Sequence, residues 1–174
     1  HCGAVQPNLF GFGGSLRVLY RDLLEPVQVV TVACVALSLI SLGAQPDAIF
    51  AFRGLMDIGA PDGQVLYLLG MTGGFASACG YAWTVLSANL LHGSLLHIAF
   101  NLSWLRTLGG TAVGALGPAR FLVLFFGSGV GGFVFSNVLS GAPTIGASCG
   151  LFGLIGGLAV FGWRRGGTAG AALR

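Results

Sequence analysis

HGSLLHIAFN (His92–Asn101) opens the run HGSLLHIAFNLSWLRTLGGTAVG (His92–Gly114), and its reading decides the fold. The run is long and apolar enough for a membrane helix, which needs about 20 residues. It nevertheless carries two histidines and an asparagine. Polar side chains at such depth are expensive, and their default reading is a functional site. His97 and Asn101 are four apart, so both project from one helical face. His92 falls in the turn just before. The competing reading makes all three interhelical glue, worth about 0.6–2 kcal/mol each. Two histidines and an asparagine without a nearby carboxylate make a poor ligand set, so no metal is expected. Nothing in the sequence calls for a cofactor.

The rest of the chain supports a membrane setting. Of 174 residues, 55% are hydrophobic and only 7% charged, and the mean hydropathy is +0.87. A soluble domain uses about a quarter charged residues to cover its surface. The thirty-one glycines sit among Leu, Phe and Val. Such residues let membrane helices approach closely, where hydrophobic drive between helices is weak. Cys2, Cys34, Cys79 and Cys149 show no paired spacing. Neither a disulfide framework nor a zinc site is supported.

Four spans follow: about Val27–Gly43, Ser94–Gly114, Phe121–Ser140 and Ala147–Trp163. The fold class is therefore an all-α membrane bundle. Residues 1–26 form a juxtamembrane segment, with a surface helix expected over about 14–24. Residues 27–174 form the transmembrane domain. Residues 45–93 are an insertion of short interfacial helices anchored by Tyr67, Tyr81 and Trp83. With this topology Arg17, Arg21, Arg120, Arg164, Arg165 and Arg174 share one side, and Arg106 snorkels towards it. Only Arg53 lies opposite. That side is cytoplasmic by the positive-inside rule, as is the N-terminus. A fifth span in the insertion would break the agreement. The net charge of +3 is thus a topology signal, and no nucleic-acid binding is expected.

The second polar cluster is Gly146-Ala147-Ser148-Cys149-Gly150, at the start of the last span. A serine in a first helical turn is commonly a cap. Gly146, Gly150, Gly153 and Gly157 also suggest one bare face for close packing. A soluble nucleophile elbow would need a preceding strand and a following acid and histidine. Here a Pro-containing turn precedes, a long apolar segment follows, and no acidic residue occurs after Asp62.

Taken together, the two clusters resemble the rhomboid family of intramembrane serine proteases over about Gly80–Arg165. The family's His-x-x-x-x-His-x-x-x-Asn pattern is matched by His92, His97 and Asn101, followed by Leu108-Gly109-Gly110. Its Gly-x-Ser motif is matched by Gly146-Ala147-Ser148. Cys149 stands where the family has glycine. The resemblance implies a rhomboid-like bundle with Ser148 as nucleophile. His97, Asn101 and the Ser148 backbone N–H would hold the oxyanion, supported by His92, Gly146 and Gly150. The substrates implied are single-pass transmembrane proteins, cleaved within the bilayer near the non-cytoplasmic face. A bacterial inner membrane is the expected location. No oligomeric state is fixed by the sequence.

The family's base is a histidine on a later helix, giving a Ser-His dyad, and it is expected beyond Arg174. The start at His1 and the abrupt end point to a longer protein. The alternative is a catalytically dead relative that binds membrane clients without cutting them.

Overall fold

A computed structural model describes residues 25–51, 54 and 57–166. Every regular element among these is helical, apart from an isolated antiparallel bridge between Thr72 and Thr144. The long helices are α1 (Pro26–Ala44), α5 (Leu95–Leu116), α6 (Pro118–Leu139) and α7 (Ser148–Arg165). Between α1 and α5 lie a 3-10 turn (Pro46–Ile49) and the short helices α2 (Gly63–Leu68), α3 (Gly74–Ala78) and α4 (Thr84–Ser87).

Local chemistry sets the boundaries. Pro26 occupies the first turn of α1, where a missing N–H costs nothing. The Ser94 side chain caps α5 by accepting the His97 N–H at 3.2 Å. Gly117, at φ +89°, ends that helix, and Pro118 begins the next. Arg164 and Arg165 close α7, where positive charge suits the C-terminal end of the helix dipole.

Each expected span coincides with one long helix, its ends displaced by at most three residues. By length and composition, α1 and α6 can cross a membrane. Only 22% and 17% of their most apolar windows are buried, unlike the covered core helix of a soluble protein. By that measure α5 and α7 fall short. His97, Asn101 and Arg106 dilute α5, and Arg164-Arg165 dilute α7. The described part of the insertion contains only short helices, as expected, and none is long enough for a fifth span. The anticipated helix over 14–24 lies outside the described residues. So do Arg17, Arg21, Arg53 and Arg174, on which the orientation argument leaned.

The bundle is built on α7, which packs along α6 and against α5, while α5 also meets α1. Its tightest seam comes from glycine. A methyl group at Gly150 would lie 2.7 Å from the Phe125 ring and 2.8 Å from the Phe125 carbonyl oxygen. Gly157 meets Leu124 in the same way at 2.7 Å. Gly150, Gly153 and Gly157 therefore form the anticipated packing face, but Gly146 does not belong to it. The helix begins only at Ser148, and Gly146 faces His97 instead. Facing outward are large apolar side chains such as Val123, Val138 and Phe152, each more than 70% exposed. A surface of that kind suits lipid rather than water.

Candidate active site

Three segments converge at one end of the bundle: the turn before α5, the first two turns of α5, and the start of α7. The Ser94 cap places His97 on the inner side of the first turn. Gly93 N–H donates to His97 Nδ1 at 3.4 Å. With Nδ1 acting as acceptor, the neutral ring carries its proton on Nε2. That nitrogen lies 2.8 Å from the point where a side chain on Gly146 would begin, and Ser148 Oγ lies 3.8 Å from the same point. Gly146 sits at φ +120°, a conformation that side-chain-bearing residues rarely adopt. The absent side chain leaves a small gap bordered by an imidazole N–H and a serine hydroxyl.

Asn101 follows one turn later and is 6% exposed. Its amide donates to the His97 carbonyl at 2.9 Å, which leaves a second N–H available. Asn101 and Ser148 line one cavity of about 360 Å³ between α5 and α7. Its other walls include Phe100, Trp104 and Phe152. Ser148 is the first residue of α7, so its backbone N–H has no partner within the helix. The helix dipole adds partial positive charge there. Asn101 and Ser148 thus bring donors to a mostly apolar cavity, and His97 Nε2 approaches Ser148 from the Gly146 side.

His92 is buried beside this group, its ring 5.1 Å from that of His97 in an edge-on arrangement. Its Nδ1 bonds the Leu90 carbonyl at 3.2 Å and so carries the proton. Its Nε2 is buried with no partner. Burial, and then the neighbouring His97, pull the His92 pKa down from 6.5 to about 4, outweighing the Leu90 carbonyl. It is a poor proton acceptor near neutrality.

The sequence-predicted residues His92, His97, Asn101, Gly146 and Ser148 thus come together. Gly150 stands apart, packed on Phe125. Cys149 points its Sγ at Gly132 of α6, in a notch that a side chain there would fill. Sequence reasoning missed Phe100 and Trp104, which line the cavity beside Asn101 and Ser148. It also missed Asp57, which shares a second cavity of about 440 Å³ with His97 and Ser94. Among the described residues no cluster of His, Cys, Asp and Glu is arranged to hold a metal.

The family model described as Rhomboid domain matches residues 79–171. The chain is 32% identical over 100 residues to Rhomboid protease GluP of Bacillus subtilis, covering 58% of this chain and 20% of that protein. It is 36% identical over 75 residues to Rhomboid protease GlpG of Haemophilus influenzae, covering 42% and 38%. It is also 34% identical over 77 residues to Inactive RHOMBOID-like protein 8 of Arabidopsis thaliana, covering 44% and 22%. The chain therefore spans well under half the length of these curated relatives.

Proposed function

The chain belongs to the rhomboid family of integral membrane proteins, and from that premise we propose that it is the serine-bearing part of an intramembrane endopeptidase. In this reading all four long helices span the bilayer. The arginine-rich side is cytoplasmic, in a bacterial inner membrane. Ser148 Oγ attacks the scissile carbonyl of a single-pass transmembrane substrate near the non-cytoplasmic face. The new oxyanion takes hydrogen bonds from His97 Nε2–H, the free Asn101 amide N–H and the Ser148 backbone N–H. Donors fixed in advance, in a water-poor site, cost no reorganisation when charge develops, and losing one costs about 3–4 kcal/mol.

The observation that carries this reading is the meeting of His97 Nε2 and Ser148 Oγ at the bare Cα of Gly146. The same geometry supports the division of roles. Because Gly93 occupies His97 Nδ1, Nε2 holds the proton and acts as a donor. His92, held neutral by burial, is equally unsuited to accept the serine proton. The family resemblance implies that the base of the Ser-His dyad is a histidine on a later helix, expected beyond Arg174. It takes the Ser148 proton and returns it to the leaving amine. The likeness to Inactive RHOMBOID-like protein 8 favours a second reading, a client-binding protein without turnover.

A fluorophosphonate probe applied to the full-length protein separates these outcomes. Labelling of the wild type that vanishes in Ser148→Ala supports the enzyme. Labelling that survives the substitution removes Ser148 as nucleophile, and no labelling of folded wild type supports the client binder.

A further inference from the structure

The turn that delivers Ser148 is templated by the insertion through three backbone hydrogen bonds. Gly74 N–H donates to Gly141 O at 2.8 Å, Thr144 N–H to Thr72 O at 2.9 Å, and Gly146 N–H to Ala88 O at 2.8 Å. The middle bond belongs to the Thr72–Thr144 bridge, four residues before Ser148. Whatever fixes Thr72 therefore fixes the approach to the serine.

Thr72 is completely buried, and a buried hydroxyl is costly unless bonded. Its Oγ1 accepts a hydrogen bond from Asn137 Nδ2 at 2.9 Å and lies 3.3 Å from Thr84 Oγ1. Asn137 belongs to the last turn of α6. Its Nδ2 also donates to Ser77 Oγ, on α3, at 3.0 Å. One amide thus holds two points of the insertion that lie 65 and 60 residues earlier in the chain. Next to it, Ser136 Oγ meets Thr144 Oγ1 at 3.3 Å and ties the same helix end to the turn itself.

We propose that Asn137 is a positioning residue for Ser148, acting through Thr72 and the Thr72–Thr144 bridge. The proposal rests on the reading of Ser148 as nucleophile. The physical reason is geometric. An amide NH2 has two donors in a fixed plane, so bonds to Thr72 and Ser77 set the position of the insertion as well as tethering it. Without them the bridge is held less firmly, and the serine can shift with it. A displacement of about 1 Å at a reacting group can cost about a hundredfold in rate. A glue residue would act on stability alone.

The test uses the full-length protein in proteoliposomes, with fluorophosphonate labelling measured against probe concentration and thermal unfolding measured in parallel. Asn137→Leu removes both donors at similar size, Thr72→Val removes the hydroxyl but keeps the bridge carbonyl, and Thr72→Ser restores the hydroxyl. The expected result is a maximal labelling rate lowered about tenfold or more in Asn137→Leu and Thr72→Val. Half-saturation should stay within about twofold, and Thr72→Ser should stay close to wild type. If Asn137→Leu fails to fold, the Thr72→Val and Thr72→Ser pair gives the same contrast. Ser148-dependent labelling that is indifferent to the Thr72 hydroxyl, or that falls only in proportion to folded protein, overturns the proposal while leaving the nucleophile in place. Labelling that survives Ser148→Ala overturns the nucleophile reading first.

Discussion

Gly93 N–H donates to His97 Nδ1 at 3.4 Å, and this bond decides which ring nitrogen of His97 bears the proton. It turns His97 into a donor aimed at the gap beside Gly146 and Ser148. His97→Ala should lower turnover about a hundredfold or more, the scale of one lost oxyanion donor. His97→Gln, whose amide can still present an N–H, should recover part of the loss. Kinetics on a transmembrane substrate in liposomes decide the matter, and equal losses in the two variants would rule out the donor role.

Asn101 separates catalysis from packing. Its bond to the His97 carbonyl lies within one helix, so Asn101→Ala should cost folding no more than about 1 kcal/mol. Turnover should fall by about a hundredfold. Activity and thermal unfolding measured on the same preparation test this, and parallel decline would favour interhelical glue.

Gly146 and Gly156 make a paired test. Alanine at Gly146 must adopt φ +120° and places its methyl 2.8 Å from His97 Nε2. Strain of about 1–3 kcal/mol is expected, together with loss of probe labelling. Gly156 has nothing within 4 Å, so Gly156→Ala should be neutral or slightly stabilising. Gly150→Ala is costly for a different reason, since the backbone carbonyl of Phe125 at 2.8 Å cannot swing away. It should destabilise by about 1–3 kcal/mol.

His92 predicts an acid sensitivity. Its pKa is near 4 when folded and 6.5 when free, so between those values the unfolded chain binds a proton that the folded chain refuses. Stability should fall as pH drops through that window and level off below it, by up to about 3 kcal/mol. Thermal unfolding from pH 7 to pH 4 checks this. His92→Phe should flatten the profile, and an unchanged slope would place the sensitivity elsewhere.

The long helices were legible because apolar length, Pro26, Pro118 and the Ser94 cap are local signals. The pairing of His97 with Asn101 was legible from their spacing alone. Gly146 was misread as part of a helical glycine stripe, because spacing cannot show that the helix starts two residues later. The roles of Thr72 and Asn137 were invisible for a different reason. Their bond spans 65 residues, and no window of sequence holds both partners. Asn137 did carry one signal, a buried-capable amide near the end of an apolar run.

The hold of residues 72–88 on the turn at 141–146 also orders events during synthesis. The template emerges first and its copy last, with α5 and α6 made in between. Contacts this distant form late, after much chain entropy has been surrendered. A partly made chain would carry Ser148 on an unshaped loop until the bundle has closed.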